Sequence, residues 1–326
     1  MNRHSQQGVA LVMVLIILAM ITIISTQLLS ERNLHSRRTS NIILSDNAWH
    51  FALGAETLAK IVLTKGLKGE ESVNLSQPWA MEGIVFPIDN GSIKAELKDL
   101  RSCFNLNGVL ASEQSVDDDQ KNAKPLDGEK IFAELLTSLE IADAQPKALA
   151  ATLRDWIDSD DQPSGFDGRE DYEYTGYRLP YRTANTLLGS RTELATISGF
   201  NAKIIEQILP YVCIIPDEPM LVLNVNTVSA EQPELLSSFY DKMDVSQATS
   251  ILSSRPEQGF EASDFNTLLP ADAVLHKGAV IDFTSPYFSV SIKVELGRAK
   301  VNLKSLLHYQ EQSNNVLVLA HLGLDD

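Results

Sequence analysis

Residues 9–29 read VALVMVLIILAMITIISTQLL, with no charge, proline or glycine. At ~1.5 Å per residue, about 20 apolar residues cross a hydrocarbon core of ~30 Å, so this stretch is long enough for a membrane helix. A cleaved secretory signal would show an apolar run of ~7–15 residues followed by a small-residue cleavage site. Here the run is longer, and the segment behind it, STQLLSERNLHSRRTS (residues 25–40), offers no such site. The helical pattern also continues past the membrane. No proline occurs before Pro78, and Ala48, Ala52, Ala55, Ala59 and Val62 recur at a 4-3-4-3 spacing, which is helix period. One helix of roughly 55 residues and 85 Å, from Val9 to about Lys65, is the economical reading. Gly66 and Gly69 mark its end.

With 326 residues, 44% hydrophobic content and 13 prolines, the chain is long enough for an anchor and two globular parts. Its formal charge of −16 argues against a nucleic-acid footprint and suits a compartment where divalent cations bind. Arg3 precedes the apolar run, and by the positive-inside rule the body then lies on the outer, periplasmic-type face. Arg32, Arg37 and Arg38 behind the run blur that bias.

Short strands are expected at Val73 to Leu75, Ile84 to Ile88 and Ser92 to Asp99, the last with Ile93, Ala95 and Leu97 on one face. Far downstream Phe288, Val290, Ile292, Val294 and Leu296 alternate, Gly297-Arg298 turns, and Val301, Leu303 and Ser305 to Leu307 return. Strands from both ends of the chain would form one antiparallel sheet packed on the second half of the helix. The middle, about 107–212, then becomes an insert. Its residues 129–139 and 146–157 carry apolar side chains at helical spacing, and Asp117-Asp118-Asp119 with Lys121 to Pro125 reads as an exposed loop. The fold class is thus α+β: a long N-terminal helix on an antiparallel sheet, with a large inserted all-α domain. The divisions are 1–8 (leader), 9–29 (membrane helix), 30–106 (helix extension and first strands), 107–212 (insert), 213–310 (remaining sheet domain) and 311–326, a tail that no pattern places.

The two cysteines, Cys103 and Cys213, flank the insert. In an oxidising compartment an isolated pair reads as a disulfide, and closing a ~109-residue loop would constrain the unfolded chain by ~4.7 kcal/mol on the entropy model. Two buried thiols are the plain alternative. Inside the insert, LRDWIDSDDQPSGFDGREDYEYTGY holds eight carboxylates against Arg154 and Arg169. Oxygen ligands concentrated on a Pro/Gly turn suit Ca²⁺. The spacing is not an EF-hand, since Gln162, Pro163 and Arg169 fall at its fifth, sixth and twelfth positions. A solvated acidic loop is the competing reading. Leu194 to Phe200, with Gly199, has the form of a helix-hairpin-helix turn, but Arg191 and Lys203 are its only nearby cations, so a packing role is expected. Asn105-Leu106-Asn107 and Asn224-Val225-Asn226 read as local turn caps where the insert leaves and rejoins the sheet. None of the six histidines lies in a metal-protease motif or beside the acidic cluster, and no catalytic constellation can be built, so no enzymatic activity is expected.

A polar leader ending in glycine, followed directly by an apolar helix and an amphipathic extension, resembles a type IV pilin or pseudopilin precursor. The resemblance implies that a prepilin peptidase cuts between Gly8 and Val9, with methylation of the new N-terminus. Pilins usually carry Glu five residues after the cut, where this chain has Met13. That Glu is thought to pair with the amine of the subunit ahead, and an unpaired carboxylate in a membrane bundle is costly. On this resemblance Met13 implies a subunit with none ahead of it; a merely lipid-facing Met is the plain alternative.

The insert narrows the likeness. Asp155-Trp156-Ile157-Asp158-Ser159-Asp160, Gly168-Arg169-Glu170-Asp171, Tyr174, Pro180-Tyr181-Arg182 and Asn185 resemble the motif of the K family of minor pseudopilins in type II secretion systems. Arg169, Glu173 and Leu179 depart from that motif. The likeness continues through Glu193-Leu194, Gly199-Phe200, Pro210-Tyr211-Val212, Asn224 to Thr227 and Ser285 to Phe288. It implies a subunit that primes, and sits at the tip of, a pseudopilus exporting folded proteins across the outer membrane. It also implies a single pass through the bacterial inner membrane, a periplasmic body and a structural Ca²⁺ in the acidic loop. The candidate ligands are Asp158, Asp160, Asp161, Asp167, Glu170 and Asp171. The implied partners are minor pseudopilins I and J, the major pseudopilin G, the inner-membrane secretion platform and the prepilin peptidase. A calcium-dependent membrane-anchored hydrolase and a DNA-binding competence-type pilin are the alternatives.

Overall fold

The computed structural model describes residues 5–81, 83–112, 126–141 and 145–322. The expected loop at Asp117–Pro125, the leader residues 1–4 and the last four residues of the tail lie outside them. The first helix, α1, spans Ser5–Gly66 without a break, as a proline-free sequence of this length permits. It ends where Gly69 turns left-handed at φ 74°, a conformation that favours glycine. The apolar segment from Val9 is exposed on all sides and is long and apolar enough to cross a membrane. The second half is half-buried along one seam, Ala48, Ala52, Ala55, Ala59 and Leu63, which Leu67 continues just past the helix end. Leu63, and not the expected Val62, continues the seam; Val62 stays 38% exposed while Leu63 is 0%. A straight helix turns every 3.6 residues, so a strict 3.5-residue spacing drifts by ~20° per heptad and leaves the face by the fourth turn.

No strand forms at Val73 to Leu75. The Asn74 side chain instead accepts from the Ser76 amide at 3.0 Å and makes a turn, the local competition with a ladder that short polar residues offer. Strands β1 (Val85–Ile88) and β2 (Gly91–Asp99) then form a hairpin. Gly91 is required there, because a Cβ would lie 1.9 Å from the Glu295 carbonyl oxygen. The insert follows: β3 (Phe104–Asn105), α2 (Asp127–Ser138), α3 (Pro146–Ile157), α4 (Asp171–Thr175), α5 (Ala202–Ile208), β4 (Val212–Cys213) and β5 (Leu221–Asn224). It continues through α6 (Pro233–Ser238), β6 (Tyr240–Asp241), α7 (Val245–Ser253), α8 (Ala262–Leu268), β7 (Val274–Leu275) and β8 (Ala279–Asp282). The chain closes with β9 (Tyr287–Leu296), β10 (Ala299–Gln310) and β11 (Asn315–Leu322). The antiparallel sheet has the order β1-β2-β9-β10-β11. Phe288, Val290, Ile292, Val294 and Leu296 alternate onto its buried face against the α1 seam, and Trp79 meets the Phe288 ring edge-on at 5.1 Å.

Three expectations change. The sheet domain does not resume at residue 213. Residues from Ile214 to Phe265, and Ala279, share one core with Phe104, Phe132 and Leu153, α6 packs on α2, and β5 pairs in parallel with β8. The insert thus runs to about Phe283, and Cys213 marks only the β3–β4 pairing inside it. It is mainly helical, and short strand pairs close it. The stretch from residue 311 is no separate tail, since β11 extends the sheet along β10. Cys103 and Cys213 are joined as a disulfide, Cα atoms 5.8 Å apart.

The two cores are tied at the end of β2. Buried Asp99 accepts from Thr227 Oγ1 at 2.6 Å and from Asn224 Nδ2 at 2.9 Å, and Arg101 pairs with Asp282 at 2.9 Å. The asparagine pairs do more than cap turns. Asn107 exchanges hydrogen bonds with Leu188 and donates to the Ile215 carbonyl, and Asn226 exchanges two with Phe260. Gly199, at φ 89°, would place a Cβ 2.9 Å from Leu149, so this turn packs against α3.

Candidate metal centre

The acidic stretch begins inside α3, whose last turn buries Asp155, Trp156 and Ile157. Proline-led and apolar on one face, this helix is pinned in the insert core. Tyr174 of α4 is fully buried and meets Trp156 edge-on at 5.2 Å. That aromatic contact holds the end of α3 beside the start of α4 and brings Asp158, after the first, near Glu170, before the second. One carboxylate oxygen each from Asp158, Asp160 and Glu170 lies within 4.8 Å of the others.

The surroundings raise the energy of these charges. Glu170 is 1% exposed, and neither of its oxygens has a hydrogen-bond partner; Asp158 Oδ1 and Asp155 Oδ2 are likewise buried without one. Burial first, then the neighbouring charges of Asp155, Asp158, Asp160 and Asp161, push the Glu170 carboxyl up to about 8. Burial followed by Asp160 and Asp155 pushes Asp158 up to about 7, against the pull of Arg154. Burial also raises Asp155, which accepts from the Ser164 amide at 2.9 Å. A buried polar atom left unpaired costs ~1–3 kcal/mol, more when charged. Orphaned carboxylate oxygens that converge therefore fit a cation, and an all-oxygen donor set fits a hard one such as Ca²⁺.

The six sequence candidates divide. Asp158, Asp160 and Glu170 come together. Asp161 is exposed and accepts from Asn185 Nδ2 at 3.2 Å, and Asp167 is exposed. Asp171 turns away to accept from the Thr183 amide and hydroxyl at 3.0 and 2.9 Å, and pairs with Arg182 at 3.3 Å. Arg169, the cation that departs from the motif, donates to the backbone oxygens of Asp167 and Gly168. Sequence reasoning passed over Asp155, because its period places it on a helix, and Asn185, whose Oδ1 is also buried and unpaired. Both belonged to the motif, which was the available signal. Behind the cluster, buried Arg154 bonds Glu129 at 3.2 Å and reaches Asp158 at 3.5 Å. Among the described residues no histidine lies at this centre: His276 bonds Glu134, His321 bonds Glu56 and His308 stacks on Tyr287.

Residues 102–217 match one family model, and residues 223–282 a second, both described as type II secretion system (T2SS), protein K. The type II secretion system protein K of Aeromonas hydrophila is 36% identical over 98% of this chain and 97% of its own length. That of Pectobacterium carotovorum is 32% identical over 97% and 96%. Among solved structures, a chain of the GspK–GspI–GspJ complex from the enterotoxigenic Escherichia coli type 2 secretion system superposes with a TM-score of 0.76 at 27% identity. That match covers 87% of this chain and 98% of the other.

Proposed function

The chain belongs to the type II secretion system protein K family, and from that premise we propose that this minor pseudopilin primes and caps a pseudopilus and that calcium holds its acidic loop folded. Its work is assembly. Neither the hydrolase nor the DNA-binding reading finds support among its relatives. The observation that carries the proposal is the architecture itself: a 62-residue helix bearing a sheet and, beside it, an insert with a core larger than the sheet's own. So wide a body suits a position with no subunit stacked above it, and Met13 in place of the usual Glu supports the same position.

The partners would be the I and J minor pseudopilins first, as in the solved complex, and then the major pseudopilin G on the inner-membrane platform. The exposed apolar side chains of α1, such as Leu34, Ile42, Ile43 and Leu58, would join the helix bundle. Prepilin peptidase would cut after Gly8, leaving Val9 at the head of an inner-membrane anchor with the body in the periplasm. Ca²⁺, when bound, would neutralise the carboxylates of Asp158, Asp160 and Glu170 and cross-link the end of α3 to the start of α4. A cation that binds only the folded loop stabilises it by mass action.

Co-purification of the part from about Ser30 onward with the soluble parts of pseudopilins I and J, in calcium and in chelator, tests both claims. The expected result is a stoichiometric complex whose melting temperature falls on chelation. Absence of a complex overturns the tip assignment; a complex indifferent to chelation overturns the calcium site alone.

A further inference from the structure

Helix α2 opens with a capping exchange. Glu129, three residues past the N-cap Leu126, folds back so that its Oε2 accepts from the Leu126 amide at 3.2 Å, the reciprocal half of a capping box. The same oxygen accepts from Arg154 Nη1 at 3.2 Å. Both side chains are inside the insert, Glu129 at 6% exposure and Arg154 at 2%. At its other end the guanidinium brings Nε to 3.5 Å from Asp158 Oδ2. One arginine therefore joins the start of α2 to the first carboxylate of the metal centre.

The charges along this row alternate. An arginine stays cationic wherever the fold survives, so Asp158 has a fixed positive charge behind it and, with calcium bound, a second in front. The guanidinium competes with the ion for Asp158 and repels it. Glu129 counters that repulsion: bonded to the far end of the guanidinium, its negative charge offsets Arg154 in surroundings that screen little. Burial raises the Glu129 carboxyl, and the charge and hydrogen bond of Arg154 pull it back towards ionisation. A buried ion pair that loses one member leaves the other uncompensated, and here the charge left over would sit against a ligand of the centre.

We propose that Glu129, acting through Arg154, is a positioning residue that sets the calcium affinity of the centre without touching the ion. The inference rests on the calcium reading above and adds to it a residue from a different helix. A clamp that merely holds α2 to α3 is the rival account, and charge separates the two. Glutamine at position 129 keeps the length, the cap and an acceptor for Arg154, and removes only the charge.

The test uses the full chain in non-ionic detergent micelles, with terbium as the probe ion, its luminescence excited through Trp156, and calcium displacing it. Wild type is compared with Glu129→Gln, with Glu129→Gln plus Arg154→Gln, and with Glu134→Gln, a carboxylate of the same helix that bonds His276 instead. Circular dichroism in chelator checks each fold. Glu129→Gln is expected to bind calcium about tenfold or more weakly and Glu134→Gln like wild type. The double variant should return to within about threefold of wild type, because it removes the two charges of the pair together. Equal affinity of Glu129→Gln and wild type overturns the proposal. So does a double variant as weak as the single one, which would leave a structural clamp. Wild type that binds neither ion overturns the calcium reading and this inference with it, whereas the first two outcomes leave that reading intact. Should Glu129→Gln fail to fold, Arg154→Gln decides: the proposal requires it to bind calcium at least as tightly as wild type, and weaker binding overturns the proposal.

Discussion

Replacing Glu170 by glutamine is predicted to shift stability in opposite directions with and without calcium. In the metal-free protein Glu170 is buried among like charges and titrates at about 8. A carboxyl raised in the folded state contributes stability that is fully present below its unfolded value near 4.5 and is lost as pH rises through about 8. After allowing for solvent screening, that loss is roughly 2–4 kcal/mol for this group. Glutamine keeps the shape and carries no charge. In chelator at pH 9 the variant should therefore exceed wild type by about that amount, roughly 5–10 °C in melting temperature, and match it near pH 5. In saturating calcium the order reverses. The variant lacks a charged ligand, and the stabilisation that wild type gains, about 2.7 kcal/mol at a hundredfold excess over the dissociation constant, should be largely absent. Scanning calorimetry at pH 5 and pH 9, in chelator and in calcium, reads all four states. A variant less stable than wild type in chelator at pH 9, or one that gains as much from calcium, refutes the reasoning.

Calcium affinity should itself fall steeply between pH 8 and pH 6, by about a hundredfold or more, because Asp158 near 7 and Glu170 near 8 must both lose protons to bind; isothermal titration in two buffers of different ionisation enthalpy would report the released protons. Replacing both Cys103 and Cys213 by serine should cost about 3–5 kcal/mol, since the closed loop spans 110 positions; urea unfolding of oxidised wild type and variant measures it. Glu56→Ala removes the acceptor shared by fully buried Ser305 and by His321, which should cost about 2–3 kcal/mol, and hydrogen exchange should show β11 opening first.

The anchor helix and the two-ended sheet were legible in sequence because each rests on a simple period. An apolar run without breakers can only be one long helix, and Phe288 to Leu296 alternates without a fault. The error at Val62 came from the same source, since a period read as 3.5 serves for about three turns and then selects Val62 in place of its neighbour Leu63. Residues 214–283 were misassigned because their helices are short. Pro233–Ser238 and Ala262–Leu268 are too brief to display a period, and nothing local says which core will receive Leu235 or Phe265. The acidic loop was visible as composition. Its division into cluster and bystanders was not, because Asp171 differs from Glu170 only in having Thr183 and Arg182 to hold, partners twelve and eleven positions away. Asp155 was hidden by lying inside a helix; its charge acts on Asp158 and Glu170, although it is not one of the three clustered carboxylates.

The ladder between β2 and β9 pairs Asp99 with Phe288, so the whole insert must be synthesised before β2 acquires its second neighbour. Loop closure over so long a segment is entropically slow when the segment is unfolded. A folded insert changes this. The parallel pairing of β5 with β8 and the grip of Asp99 on Asn224 and Thr227 bring the two exits of the insert side by side. A folded insert would then serve as the template on which the sheet is assembled, leaving the alanine seam of α1 uncovered until it is finished. This topology predicts that the chain folds from its middle outward, against the order in which it is made.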